Sequence, residues 1–475
     1  MTPEEFRTHA HTLVDWMADY MANVEQYPVR AQVAPGEVAG QLAAAAPEDG
    51  EPFEAIFEDF QRIVMPGITH WQHPNFFAYF PANSSPPSVL AEMLTATLAA
   101  QCMLWQTSPA ATEMEGRVLD WLRELTGLPP GFTGVIQDSA SSATLCAVLA
   151  ARERATGWAI NEQGPTAGPP VTFYTSTQAH SSIEKAVTIA GVGRQHLRKV
   201  AVTGDLGVDP EALRAAIRAD RAAGLIPAGV IACLGATGAG AVDPLAAVAA
   251  VCQDEGVYLH VDAAWAGSAL ILPEQRWMID GIEGVDSFVL NPHKWLLTNF
   301  DCSAHYVRDP ETLVRTLSIL PAYLRSRETG QVVDYRDWGV PLGRRFRALK
   351  LWFVLRSYGA KALREMIRGH IALAGELAGW IRAHSDFELV DGPRLSLLNF
   401  RYAPPGTTED ERDGLTPQLV EAVNDDGRLY LTPNTMAGRA TVRFSIGQPR
   451  TERRHVRAAW DTITQVASQL RQETA

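Results

Sequence analysis

No apolar run in this chain of 475 residues reaches the roughly 18 residues a membrane span needs, so none is expected. Cysteine is scarce: Cys102, Cys146, Cys233, Cys252 and Cys302 make an odd count with no C-x-x-C pair. Several sit in apolar runs, which speaks against a disulfide framework and for buried free thiols. Basic residues are the minority, 41 Lys and Arg against 54 Asp and Glu, for a formal net charge of −13. A chain this acidic makes a poor partner for nucleic acid or an anionic membrane, because both call for basic patches. The opening Met1-Thr2-Pro3-Glu4-Glu5 lacks a basic stretch followed by an apolar segment, so a cytoplasmic location is the expectation. Internal repeats and heptads are lacking too, and no metal site is expected.

With 46% hydrophobic residues, the chain is long enough to bury a large core in two or three units. Thr2, Pro3 and Glu5 read as a capping box with proline at the first helical position. The helix it opens carries Phe6, Leu13, Val14, Met17, Met21 and Val24 on one face, the pattern of core or an oligomer contact. A second helix is expected near Pro52–Val64, and residues 71–81 are too aromatic and proline-bounded for ordinary helix. From about 86 to 350, short β-rich runs (Gly134–Ile136, Val171–Tyr174, Ala228–Leu234, Tyr258–Val261, Phe288–Leu290) alternate with helical stretches (Ser142–Ala155, Glu211–Ala223, Pro244–Asp254). This alternation predicts an α/β fold, a mostly parallel sheet with helices on both faces. Asn161–Pro170 and Ala403–Gly414 read as exposed loops. The expected organisation is an N-terminal helical segment (1–85), a large α/β domain (86–350) and a small C-terminal α+β domain (351–475) ending in a helix near Val456–Leu470.

The polar motifs fall at strand ends, where open α/β sheets bind ligands. Asn291-Pro292-His293-Lys294-Trp295 places a lysine just beyond a strand, and His260-Val261-Asp262-Ala263-Ala264 delivers a carboxylate the same way. A lysine amine forms a Schiff base with an aldehyde, and a fixed carboxylate holds a protonated pyridine nitrogen. These are the two protein groups that pyridoxal phosphate chemistry needs most. Gln137-Asp138-Ser139-Ala140-Ser141-Ser142 leads into a helix whose N-terminus suits a phosphate, though serine-rich caps are common without one. His180, in Gln178-Ala179-His180-Ser181-Ser182, is either a satisfied loop histidine or an imidazole stacked on the cofactor ring. Thr237 offers a hydroxyl from what is otherwise a glycine turn. His293 reads equally as structural or as a contact to the substrate carboxylate.

These motifs, with Met65-Pro66-Gly67-Ile68-Thr69-His70-Trp71, Phe76-Phe77-Ala78-Tyr79-Phe80-Pro81 and Pro341-Leu342-Gly343-Arg344-Arg345-Phe346-Arg347, run nearly end to end in order. The chain resembles the aromatic L-amino-acid decarboxylases of the pyridoxal-phosphate-dependent group II family. The resemblance implies a type I aminotransferase-like fold, a homodimer with shared active sites, and an N-terminal flap over the partner. It implies that Lys294 carries the cofactor, Asp262 pairs with its ring nitrogen and His180 stacks on the ring. Ser139, Ala140, Ser141, Thr237, Ala264, Asn291 and His293 would complete the cofactor site. Trp71, Tyr79, Phe80, Pro81, Ala82, Gln101, Met103, His293, Leu342 and Gly343 would surround the aromatic amino acid. Tyr323 matches the family's tyrosine on a mobile catalytic loop, with Ser326–Asp334 of suitable composition to open and close.

Within that family, phenylalanine at the Tyr323 position or asparagine at the His180 position diverts the product to an aldehyde. This chain keeps Tyr323 and His180, so the amine is expected; an aldehyde synthase is the alternative. Glycine at position 343 leans toward a pocket that admits tryptophan. Ala82, Gln101, Met103 and Trp265 depart from common family residues and leave the substrate rank order open.

Overall fold

Strand ends set the geometry of the larger of two units in the computed structural model, which describes residues 1–319 and 331–474. That unit comprises Ala82–Ile371 and Pro393–Leu397. Its sheet contains β1 (Thr133–Gln137), β2 (Val171–Ser176), β3 (Leu197–Val200), β4 (Ile226–Cys233), β5 (Tyr258–Asp262), β6 (Ser287–Leu290) and β7 (Ser303–Val307), in the order β1-β7-β6-β5-β4-β2-β3. The pairs β2–β3, β2–β4, β4–β5 and β5–β6 are parallel, while β7 runs antiparallel to both β6 and β1. All strands except β7 therefore point the same way, and their carboxyl ends share one edge. The inner strands are buried along their length, all six residues of β2 and all four of β6. Burial on both faces is what a parallel sheet covered by helices requires. The helix Ala140–Ala155 packs along β4, β5, β6 and β7, and the helix Leu245–Glu255 packs on β4 and β5.

The second unit gathers Met1–Pro81 with Ala372–Gly392 and Leu398–Ala475. Its sheet joins β8 (Phe387–Arg394), β9 (Leu397–Tyr402), β10 (Thr432–Met436) and β11 (Arg439–Ser445) in the order β10-β11-β9-β8. Phe77 ties the N-terminal segment into this core: its ring stacks on Phe444 at 4.1 Å, and its carbonyl accepts the Ser445 amide at 3.0 Å. Trp460, Ile463, Leu419 and Phe400 fill the same core.

Thr2 caps the helix Pro3–Asn23 through a reciprocal bond with Glu5, as the capping box predicts. The expectation of a loop over Ala403–Gly414 needs correction. Thr408 and Glu411 form a second capping box, and a helix starts at Glu409. Likewise the loop expected from Asn161 begins inside a short helix, Ala159–Gln163.

Candidate active site

Asp262 closes β5 and Lys294 follows β6, its parallel neighbour, by four residues. Main-chain bonds lock the two loops together: the Ala263 amide donates to Val289 at 3.0 Å, and the Asn291 amide to Ala264 at 2.9 Å. The Lys294 amide then donates to the Asn291 carbonyl at 3.0 Å, turning the chain into one short helix, Pro292–Trp295. Asp262 accepts the Ala264 amide on Oδ1 at 3.0 Å, and its own carbonyl accepts the amide of Leu234, just after β4, at 2.9 Å. Both Asp262 and Lys294 are half-buried.

His180 caps the helix Ser181–Ile189. Its Nδ1 accepts the Ser182 amide at 3.1 Å and lies 2.8 Å from the Ser182 hydroxyl. A ring nitrogen that accepts an N–H carries no proton, so the proton of the neutral ring is on Nε2. Desolvation lowers the His180 pKa, Asp262 opposes that shift and Lys294 reinforces it. His180, Asp262 and Lys294 therefore share one electrostatic neighbourhood. His293 is held differently: it is 3% exposed, and Nδ1 accepts the Cys302 amide at 2.9 Å. Burial, reinforced by Lys294, takes its pKa to about 3, so the ring is neutral at ordinary pH.

At the phosphate-suited end, Ser139 caps the helix Ala140–Ala155, accepting the Ser142 amide at 3.2 Å. The small side chains of Ala140 and Ser141 then open a helix N-terminus whose amides and dipole attract an anion. The buried Asn291 takes the Ser303 hydroxyl on Oδ1 at 2.6 Å, which assigns its amide group as the donor elsewhere. Thr237 lies exposed on the turn after β4. That turn needs Gly235, whose φ is +83° and whose added Cβ would meet the Ala266 Cβ at 2.6 Å.

Trp71, Tyr79, Phe80 and Pro81 belong to the smaller unit. There Trp71 and Tyr79 stack at 5.6 Å, and the Tyr79 hydroxyl lies 3.3 Å from that of Tyr430. Arg443 stacks over Phe80, and a Cβ on Gly447 would sit 3.2 Å from Pro81. Ala82, Gln101, Met103, Leu342 and Gly343 belong to the larger unit. Gln101 and Gly343 come together at one wall, while the Met103 carbonyl accepts the Arg336 amide at 3.0 Å and Leu342 is half-exposed. Tyr323 lies outside the described residues, as does most of Ser326–Asp334.

Other supporting residues escape sequence reasoning because their roles are purely spatial. Trp265 stacks on Trp295 at 5.1 Å, and the Trp295 indole donates to His370 at 2.9 Å, bracing the residue next to Lys294. Behind β5 runs a buried chain, in which the Ser287 hydroxyl lies 2.8 Å from both His260 Nδ1 and His305 Nε2. His260 and Asp262 share a strand face at period two, but nothing in the sequence pattern pairs His260 with Ser287 or His305.

A carboxylate and a lysine amine following adjacent parallel strands, an imidazole sensing both, a helix N-terminus and a buried asparagine amide form a donor set that fits pyridoxal phosphate. Residues 35–403 match the pyridoxal-dependent decarboxylase conserved domain. The chain is 43% identical to tyrosine decarboxylase 4 of Petroselinum crispum, covering 100% of this chain and 95% of that protein. It is 42% identical to phenylacetaldehyde synthase of Arabidopsis thaliana over 99% of this chain and 97% of that one. Oryza sativa TDC, solved with PLP and tryptamine, superposes with a TM-score of 0.95 at 37% identity over 99% of both chains. The type I fold, the cofactor and the match along almost the whole length agree, and the chain belongs to the pyridoxal-dependent decarboxylase family.

Proposed function

We propose that this enzyme decarboxylates aromatic L-amino acids to the arylalkylamine and carbon dioxide, with tryptophan favoured and phenylalanine, tyrosine or L-DOPA also accepted. The carrying observation is the placement of Asp262 and Lys294 by bonded loops at the ends of adjacent parallel strands. When bound, pyridoxal phosphate supplies an aldehyde that condenses with amines and a pyridinium ring that accepts the electron pair left as carbon dioxide departs.

Lys294 would hold pyridoxal phosphate through its amine, the group able to condense with the cofactor's aldehyde. Asp262 keeps the ring nitrogen protonated by ion pairing. Ala140 and Ser141 at the helix N-terminus, with the Asn291 amide, would bind the phosphate, and Ser139 and Thr237 would stand elsewhere in the cofactor site. His180, with its proton on Nε2, would stack on the ring and aid Tyr323 in protonating the substrate Cα. Trp71, Tyr79 and Phe80 receive the aromatic side chain. The second reading, oxidative release of an aldehyde, is favoured by the likeness to phenylacetaldehyde synthase; the retained Tyr323 and His180 support the amine.

A homodimer with shared sites suits this reading. The helix Pro86–Leu98 exposes Leu90, Leu94 and Leu98 at 54%, 47% and 63%, one stripe at i, i+4, i+8. A cytoplasmic location suits the five free cysteines, all buried. Among the described residues no helix is long and apolar enough to cross a membrane.

The test is a mass-spectrometric product assay on enzyme loaded with pyridoxal phosphate. It offers L-tryptophan, L-phenylalanine, L-tyrosine and L-DOPA in competition and scores ammonia and peroxide alongside. Amine led by tryptamine is expected, and Lys294→Ala should abolish both turnover and the visible absorbance. Aldehyde with ammonia and peroxide would replace the first reading with the second.

A further inference from the structure

We infer that the Gln101 carboxamide is the specificity-determining group on its wall, and that Gly343 governs substrate choice by seating it. This deepens the functional proposal and rests on it, together with the family resemblance that sets residues 101 and 343 around the aromatic side chain.

A glycine at 343 is usually explained by the room it leaves for a large ring. Here that room borders directly on the Gln101 side chain. A Cβ built on Gly343 would fall 3.2 Å from Gln101 Nε2, tighter than nine in ten real Cβ contacts, so the carboxamide would have to give by a few tenths of an ångström. The backbone gives no other reason for glycine, since Gly343 does not occupy the left-handed region where L side chains are strained. The close neighbour is thus the Gln101 side chain itself.

That side chain is held by bonds that a substitution would strain. Gln101 Oε1 accepts the Arg344 amide at 2.6 Å, and the Cys102 amide donates to the Arg344 carbonyl at 3.0 Å. Arg344 is itself immobile: its guanidinium bonds Glu115 at 2.6 Å and the Ile136 carbonyl at 2.9 Å, and lies 4.8 Å from the centre of the Tyr335 ring. With Arg344 anchored to β1, a side chain at 343 can be accommodated only by moving Gln101. Gln101 and Gly343 line a cavity of about 330 Å³ with Thr95, Ala96 and Ala99. Shifting the carboxamide changes the polarity and shape of that cavity together. Residue 343 then selects substrates through the amide group, and its own bulk is secondary.

The experiment compares wild type, Gln101→Ala, Gly343→Ser and the double variant. It measures kcat/KM for L-tryptophan and L-tyrosine, and amide hydrogen exchange of the peptide holding Arg344. Gly343→Ser should change the tryptophan-to-tyrosine ratio about tenfold in the wild-type background. In the Gln101→Ala background its effect should fall within about twofold. The Arg344 amide should exchange faster in both single variants. An equal ratio change in both backgrounds, or unchanged exchange in Gly343→Ser, would overturn the inference. If wild type forms no amine from either substrate, the functional reading and the selectivity role both fail. The exchange result would still decide whether Gly343 seats Gln101.

Discussion

The guanidinium carbon of Arg443 lies 4.3 Å from the centre of the Phe80 ring, and the same group donates to the Tyr79 carbonyl. Tyr79 has a φ of +49°, which a tyrosine holds only when its surroundings impose it. Arg443 is 4% exposed, and desolvation lowers its pKa to about 9. It supplies both a cation–π contact and a charged hydrogen bond to the aromatic turn. Arg443→Met keeps the bulk and loses both, so it should cost about 2 kcal/mol or more. Urea unfolding checks this; an unchanged midpoint would remove Arg443 from that role.

His180→Asn should redirect the reaction. It removes the Nε2–H while leaving a side chain able to cap the helix. Total turnover is expected to fall about a hundredfold or more, with ammonia and peroxide rising relative to amine. Amine as the sole product at near wild-type rate would show that His180 moves no proton.

Acid should destabilise the fold through its buried histidines. Desolvation takes His293 and His305 to about 3 and His73 to about 4, against 6.5 for the free group. The unfolded chain takes up protons near 6.5 that the folded chain refuses. Their stabilising effect is therefore complete above pH 6.5 and is lost as pH falls toward 3 to 4. Each such histidine costs about 1.4 kcal/mol between pH 7.5 and 5.5. In His305→Gln, that pH-dependent loss, measured by denaturant unfolding, should shrink by about this amount. An unaltered pH slope would contradict the assignment.

Leu94→Glu puts a charge in the middle of the exposed stripe on Pro86–Leu98. On the proposed homodimer, light scattering after gel filtration should show two chains for the wild type and one for the variant, with loss of activity. A variant that remains dimeric would move the interface elsewhere.

Sequence pattern found β1, β2, β4, β5 and β6 to within two residues at each end; all but the edge strand β1 are inner strands with parallel neighbours, which are continuous apolar runs. It missed β3 and β7. The edge strand β3 carries Arg198 and Lys199 at its centre, and β7 is interrupted by Ser303 and His305. Those polar residues are buried only because Asn291 and Ser287 bond them, a pairing about twelve and eighteen residues away in sequence that periodicity cannot show. Asp262, Lys294 and His180 were legible as strand-end motifs. The Nε2 proton of His180 was not, since it depends on Ser182 turning its amide toward the ring. The indole argument for Gly343 likewise missed Gln101, because contact across loops 242 residues apart leaves no local trace.

The bonds from Ala263 to Val289 and from Asn291 to Ala264 run through main chain alone. No side chain at those four positions is needed to keep the acid and the amine in register. For an enzyme engineer this separates reactivity from selectivity. The loops at 101 and 343 can be randomised as a library, and every folded member should retain the same reacting pair.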